Sequence, residues 1–132
     1  MPHRADMYVL PQPRLDRIEN YPETGEFMRA AVLGLGSAHP SVADVGGGAM
    51  PGLYADFVRQ NNIDYALLDI SQAELDKAPG YFRKIQVDLT APSEDFSARV
   101  GQDKFDIVYS HFFLEHVQDP MVVHRNIHRA LK

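Results

Sequence analysis

The chain contains no cysteine, an excess of acidic over basic residues, and no long apolar run. The absence of cysteine excludes disulfides, thiolate metal sites and cysteine nucleophiles. Its 13 Lys and Arg against 18 Asp and Glu give a formal net charge of −5, which does not favour nucleic acid or an anionic membrane as partner. No stretch reaches the ~18 apolar residues of a membrane span. The N-terminus lacks the apolar core of a secretory signal, so the sequence predicts a cytoplasmic protein.

What is present is an alternation of short apolar runs with amphipathic segments, within a length typical of one domain (132 residues). Four runs are predicted strands: "SVADV", "DYALLDI", "YFRKIQVDL" and "FDIVYS". Each is followed by a helical or turn pattern. Such alternation predicts an α/β fold, a doubly wound parallel sheet between two helical layers.

The helices carry start signals of differing strength. "EFMRAAVLGLG" is apolar on most positions and is predicted as a buried helix that ends at a glycine. "PGLYADFVRQNN" is predicted as a helix with Pro51 in its first turn and with one apolar face, formed by Leu53, Tyr54, Phe57 and Val58. Ser71 and Glu74 have the spacing of a capping box. "APSEDFSARVGQ" is predicted as a loop with a short helix, and Asp119 is the predicted cap of the last helix.

The ends of the predicted strands carry the residues of interest, because ligands of open parallel sheets bind beyond the carboxyl ends of the strands. These residues are Asp44 with Gly46, Gly47 and Gly48, then Asp69, Asp88, and Ser110 with His111. They are the candidate site.

The three glycines leave the backbone bare at a strand-to-helix turn, where it can approach a ligand such as a phosphate. The alternative is that they form only a tight turn. Asp69 ends the second strand about twenty residues later, where a carboxylate can accept hydrogen bonds from both ribose hydroxyls. The alternative for Asp69 is a solvated position before the Ser71 cap. Together the two features favour a nucleoside-containing cofactor.

The charge of Asp44 decides between two such cofactors. A carboxylate at the end of the first strand would repel the pyrophosphate of a dinucleotide, whereas it suits the sulfonium and amino groups of S-adenosylmethionine. A nicotinamide-binding turn in "VLGLGSAH", with Gly34 and Gly36, is the weaker alternative, because Pro40 and the later glycines forbid the helix that it needs.

The segments "VADVGGGAMPG", "LLDIS", "IQVDLT" and "FDIVYSHFFLEHVQDP" resemble, in order and spacing, the signatures of class I S-adenosylmethionine-dependent methyltransferases. The resemblance runs from about Val42 to Lys132. It implies that Asp44 and Gly46 to Gly48 wrap the methionine part and ribose, and that Asp69 binds the ribose hydroxyls with Ile70 beside the adenine. It further implies that Asp88 and Leu89 face the adenine edge, and that Ser110 and His111 lie by the transferred methyl.

The sequence departs from the family pattern in two places. The usual third glycine falls at Met50, and Gly52 follows two residues later. The fifth strand and closing hairpin that the resemblance implies are not in the chain. We therefore expect an irregular segment over residues 1–24, in which Pro11, Pro13 and Pro22 break any long helix. We also expect a partial methyltransferase domain over 25–132, and an open sheet edge through which copies of the chain could associate.

The histidines after the fourth strand are candidates for a general base. His111 is the predicted catalytic residue, with a structural hydrogen bond as its alternative; His116 has a helix-end contact as its alternative. His124 and His128 lie four apart on a helix, but no third ligand is evident and the neighbouring arginines disfavour a metal. The sequence predicts methyl transfer to a small-molecule acceptor, with a non-catalytic S-adenosylmethionine-binding or interaction module as the alternative.

Overall fold

The computed structural model describes residues 24–110 and 113–132. They form a four-stranded sheet with helices on both faces, which confirms the predicted α/β class. The strands are β1 (Ser41–Val45), β2 (Asp64–Asp69), β3 (Arg83–Gln86) and β4 (Ile107–Ser110). The helices are α1 (Thr24–Gly34), α2 (Ala55–Gln60), α3 (Gln72–Lys77), α4 (Ser93–Val100) and α5 (Pro120–Ala130), with a 3₁₀ turn at Leu114–His116.

The strands lie in the order β3-β2-β1-β4, and every pairing is parallel. Chain order therefore reverses between β1 and β4, and ligands of doubly wound sheets bind at such a switch point. In the register, Asp44 lies opposite Leu67 on β2 and Tyr109 on β4. Within the described residues β4 has no strand on its outer side. Association of two copies through that edge stays a prediction.

Two hydrophobic cores lie on opposite faces of the sheet. One packs α1, α2 and α3 against the sheet, and the other packs α4 and α5. All five residues of β1 are buried, as expected of a central strand covered on both faces. Successive side chains alternate between the faces, so Val42 belongs to the first core, and Ala43 and Val45 to the second. The same alternation puts Asp44 on the first face.

Two predicted helix caps are confirmed. The Ser71 hydroxyl accepts a hydrogen bond from the Glu74 amide at 3.2 Å and begins α3. The Asp119 carboxylate accepts one from the Met121 amide at 3.1 Å and begins α5. Each cap satisfies an amide that the first turn of a helix leaves without a partner.

The helix predicted to begin at Pro51 begins at Ala55, so that prediction is wrong. The amides of Gly52 and Leu53 donate hydrogen bonds to side chains of the sheet, and this holds the segment out of the helical conformation. Tyr54, predicted on the apolar face, is 73% exposed. The resulting α2 has six residues and no side-chain cap, so it offers no strong anion site.

The first helix and third strand also differ from their predictions. α1 ends at Gly34 as expected, but it is buried on one side only: Met28 and Val32 are buried, whereas Phe27 and Leu33 are exposed. An amphipathic surface helix explains this pattern better than a fully buried one. β3 covers only Arg83–Gln86.

Candidate functional site

The chain reverses direction immediately after β1 through the glycine turn, Gly46 to Gly48. Gly46 has φ of +73°, a conformation that a side chain disfavours, and its amide donates to the Leu68 carbonyl at 2.7 Å. The Gly47 carbonyl accepts a hydrogen bond from the Met50 amide at 3.0 Å. This arrangement confirms a turn that needs glycine.

The carboxylates of Asp44 and Asp69 lie close to the backbone of the glycine turn, each beside a different glycine. A Cβ atom on Gly47 would lie 2.4 Å from Cγ of Asp44, and one on Gly48 would lie 2.7 Å from Oδ2 of Asp69. Both distances are shorter than any real Cβ atom tolerates, so a side chain at either glycine would clash. The protein's own carboxylates therefore account for the bare backbone at these two positions.

The Asp44 carboxylate is buried, with only 2% of its surface exposed. Its Oδ2 accepts hydrogen bonds from the Tyr65 hydroxyl at 2.5 Å, the Tyr109 hydroxyl at 2.8 Å and the Gly52 amide at 2.9 Å. A buried charge needs such donors to offset its lost hydration. Sequence reasoning placed Asp44 at a ligand, and in the structure its Oδ2 faces the protein interior.

The two tyrosines keep their protons because of this environment. Burial, and next the negative charge of Asp44, raises the pKa of the Tyr65 hydroxyl far above its usual value. The same two causes raise the pKa of Tyr109. Both hydroxyls therefore stay donors across the physiological pH range.

The Asp69 carboxylate is half-buried at the end of β2. Its Oδ1 accepts a hydrogen bond from the Ser71 amide at 2.9 Å, while Oδ2 faces Gly48. The adjacent Ile70 side chain is 62% exposed. Asp69 thus lies before the Ser71 cap and also beside the glycine turn, so the two interpretations of its role are compatible.

A cleft of about 640 Å³ opens beyond the ends of β2 and β3. Its walls include Ile70, Asp88, Leu89, Phe113, His116 and Val122. The structure thereby brings together three predicted site residues from two strand ends. No Lys or Arg lies among the described residues of the lining.

Phe113 connects this cleft to the glycine turn. A Cβ atom on Gly46 would lie 2.6 Å from Cδ2 of the Phe113 ring, so the ring covers the bare backbone there. Phe113 also packs against the core of α4 and α5. Phe113 therefore belongs to the cleft wall and to the core at the same time.

The loop after β3 is held by hydrogen bonds from a buried residue of α5 that sequence reasoning missed. Asn126, fully buried on α5, donates hydrogen bonds to the carbonyls of Leu89 at 2.8 Å and Ala91 at 3.0 Å. On its exposed side the same loop is stabilised by Asp88, whose Oδ1 accepts hydrogen bonds from the amide and the hydroxyl of Thr90. One signal could have revealed Asn126: it is polar on the otherwise apolar face of α5.

The remaining predicted residues lie at or beyond the end of β4. Ser110 is half-buried opposite Val45, next to the glycine turn in the register. His111 lies outside the described residues. His124 Nδ1 contacts the Pro120 carbonyl at 2.6 Å.

Over residues 24–110 and 113–132 no group of three or more His, Asp or Glu is placed to hold a metal ion. In the same ranges no helix has the length and apolarity to cross a membrane.

Tyr65 and Tyr109 were missed by sequence reasoning, which treated them as ordinary strand residues. Each sits at a position that alternation assigns to the same face as Asp44. The strand register, which the sequence does not reveal, is needed to bring the three together.

The segment "VLGLGSAH" joins α1 to the amino end of β1, with Gly36 at φ of +63°. A dinucleotide-binding turn follows the carboxyl end of a strand. This placement contradicts the nicotinamide interpretation of Gly34 and Gly36.

Comparisons with known proteins agree with this geometry. A family model described as a methyltransferase domain matches residues 43–132, more than half of the chain. No curated protein matches the sequence. One similar solved structure is a candidate S-adenosyl-L-methionine-dependent methyltransferase of Methanococcus maripaludis. Another is a candidate sarcosine dimethylglycine methyltransferase of Galdieria sulphuraria. Each is 17% identical with a TM-score of 0.64 over 83% of this chain.

An S-adenosylmethionine-dependent methyltransferase of Archaeoglobus fulgidus matches with a TM-score of 0.54 and 16% identity over 82% of this chain. The chain spans 51%, 43% and 48% of these three structures, about half of their length. At such identities the structures support the fold, and the match over residues 43–132 supplies the family. The chain therefore belongs to the methyltransferase domain family, and its fold is that of the S-adenosylmethionine-dependent methyltransferases to which it is similar.

Proposed function

We propose that this chain binds S-adenosylmethionine and serves the transfer of its methyl group to a small-molecule acceptor by in-line displacement. The observation that carries the proposal is the Asp69 carboxylate set against Gly48, next to the cleft walled by Ile70 and Leu89. A carboxylate beside an apolar slot suits a ribose joined to a purine.

The residues present fit this cofactor. Asp69 would hold the ribose hydroxyls, Ile70 and Leu89 would enclose the adenine, and Asp88 would accept from its edge. The resemblance places the methionine end along Gly46 to Gly48 and Ser110, near the negative charge of Asp44. Gly46 and Ser110 are half-buried and would contact it, whereas Gly47 and Gly48 are buried and would support the turn from within. Carboxylates without a lining Lys or Arg favour a cationic ligand over a pyrophosphate. When bound, S-adenosylmethionine supplies an electrophilic methyl carbon on a sulfonium.

The protein's contribution is then chiefly alignment, which can supply ~7–11 kcal/mol of barrier lowering. Phe113 lies against Gly46 and would border the methionine end on that side. His111 remains the proposed general base for an acceptor that must lose a proton. His116 lines the cleft, with its Nε2 3.8 Å from Glu115 Oε1, and is the alternative base.

A small acceptor without strong negative charge suits the cleft. Its walls combine apolar Phe113 and Val122 with acidic Asp88 and Asp119. The net charge of −5 disfavours nucleic acid as acceptor. The alternative is a module that binds the cofactor without turnover, with the chemistry residing in a longer protein.

Isothermal titration of the 132-residue chain with S-adenosylmethionine tests cofactor binding. We expect micromolar affinity, weakened at least tenfold by Asp69→Ala. Asp56→Ala, which removes an exposed carboxylate on α2, is the matched control and should bind like the wild type. A folded wild-type chain that does not bind would contradict the proposal, as would equal affinities for the two variants.

Incubation with methyl-labelled S-adenosylmethionine and a panel of small amines, phenols and carboxylates separates the enzyme from the binding module. Label transferred to any acceptor supports the enzyme. Binding in the titration with no transfer across the panel favours the module.

A further inference from the structure

A polar cluster lies beneath the glycine turn, on the face of the sheet covered by α1, α2 and α3. It consists of the Asp44 carboxylate and the hydroxyls of Tyr65 and Tyr109. The two hydroxyls are 2.8 Å apart, and each donates to Asp44 Oδ2. The three oxygens form a triangle contributed by three different strands.

The sheet register explains why they meet. Asp44 lies directly opposite Tyr109 on β4, while Tyr65 is two residues before its partner on β2. Residues two apart on a strand share a face, so Tyr65 is a diagonal neighbour of Asp44 within reach of a long side chain. The ring of Tyr65 is fixed in turn by an edge contact with Phe82, at 4.9 Å between centroids.

The cluster also holds both ends of the backbone that follows the glycine turn. At the near end, Asp44 fills the space beside Gly47. At the far end, Gly52 donates its amide to Asp44 and Leu53 donates its amide to the Tyr65 hydroxyl at 3.3 Å. A Cβ atom on Gly52 would lie 2.1 Å from the Tyr109 hydroxyl, so the backbone rests directly on that group.

The arrangement explains the two-residue displacement of the last glycine. Only a residue without a side chain can approach the Tyr109 hydroxyl so closely, and Gly52 is the residue at that point. Met50, at the position of the family's usual glycine, is 88% exposed and makes no such approach.

We propose that Tyr65 and Tyr109 are positioning residues that set the glycine turn for the methionine end of the cofactor, acting through Asp44 and Gly52. This inference rests on the function proposed above. The two hydroxyls contact Asp44 and the backbone of Gly52 and Leu53, and no hydrogen bond joins them to Asp69, Ile70 or Asp88 among the described residues. Their loss should therefore weaken recognition of the amino-acid part of the ligand and spare that of the nucleoside.

The test compares two ligands on the 132-residue chain, S-adenosylhomocysteine and adenosine, by titration calorimetry. Tyr65→Phe and Tyr109→Phe should each weaken S-adenosylhomocysteine about tenfold or more and adenosine less than about threefold. Tyr81→Phe, at an exposed tyrosine, is the matched control and should leave both affinities unchanged. A general loss of structure would instead weaken both ligands by the same factor.

Gly52→Ala provides an independent variant, because it disturbs the same contact from the backbone side and retains both hydroxyls. It should show the same selective loss, and it carries the test if a phenylalanine variant fails to fold. Wild-type binding with an unchanged ratio of the two affinities in Tyr109→Phe and Gly52→Ala would overturn the inference alone. Failure of the wild type to bind either ligand would overturn the proposed function and the inference with it.

Discussion

The ends of β1 and β2 lie side by side at one edge of the sheet, and each carries an aspartate next to the glycine turn, yet the two are built differently. Asp44 is buried and takes three hydrogen bonds on one oxygen from three separate parts of the chain. Asp69 is half-buried, and its Oδ1 accepts a hydrogen bond from the amide two residues ahead. The end of β1 is therefore held by hydrogen bonds from residues far away in sequence, and the end of β2 by a hydrogen bond from a sequence neighbour.

The difference separates a structural task from a binding task, whereas sequence reasoning assigned ligand binding to both carboxylates. A carboxylate enclosed by donors within the protein stabilises the backbone around it. A carboxylate that retains exposed surface beside a cleft is available to a ligand. We therefore expect Asp44 to matter most for folding and for the shape of the turn, and Asp69 to matter most for binding.

Removal of each carboxylate in turn gives the largest expected contrast. Asp44→Ala should lower the free energy of unfolding by about 3 kcal/mol, because it leaves buried donors without their acceptor. Asp69→Ala should lower it by about 1 kcal/mol or less, because one partly exposed hydrogen bond is lost. Urea unfolding followed by circular dichroism measures both. Equal losses would break the comparison.

Alkaline pH should weaken the cluster of Asp44, Tyr65 and Tyr109 at the end of β1. The folded pKa of Tyr65 and Tyr109 is raised, so the native state favours their neutral form. The associated stability is fully present below the unfolded pKa of about 10 and is lost as pH rises above it, by up to about 1.4 kcal/mol per pH unit for each tyrosine.

Urea unfolding over a series of pH values, with phenolate absorbance recorded alongside, would show this loss. The variant with both Tyr65→Phe and Tyr109→Phe should lose less stability above pH ~10 than the wild type. The variant with Tyr54→Phe and Tyr81→Phe is the control and should follow the wild type. Identical alkaline behaviour of the two double variants would contradict the assignment.

The smallest expected effect belongs to the β2 end. Ser71→Ala removes the cap of α3 and should cost about 1 kcal/mol of unfolding free energy. The backbone amide that binds Asp69 is retained, so affinity for S-adenosylmethionine should not change. Ser71→Thr should restore most of the stability. A loss of affinity in Ser71→Ala would mean that the β2 end is less local than its contacts indicate.

The strands, their order along the chain and two helix caps could be predicted because their signals are local. Apolar runs report burial, and Ser71 and Asp119 act on amides within three residues. The start of α2 could not be predicted from Pro51, because the amides after it bind side chains of two strands. The same limit hid the roles of Tyr65 and Tyr109, whose meeting depends on strand register.

For the site, the resemblance and the strand-end rule located Ile70, Asp88 and Leu89, which the structure gathers around one cleft. They did not reveal that the space beside the glycines belongs to Asp44, Asp69 and Phe113. A glycine in a sequence indicates that there is no room for a side chain at that position, but it does not indicate which group occupies the space. Only the packed structure distinguishes a ligand from a neighbouring residue.

The parallel topology has a consequence for the order in which the chain acquires its structure during synthesis. Asp44 meets its first hydroxyl partner 21 residues further along and its second 65 residues further along, after the whole of β3 and α4 has been made. At ~5–20 residues per second this is a delay of several seconds. Until β4 leaves the ribosome and docks, water must supply the hydrogen bonds to Asp44 that Tyr109 later makes, so β4 is the strand that completes the buried cluster.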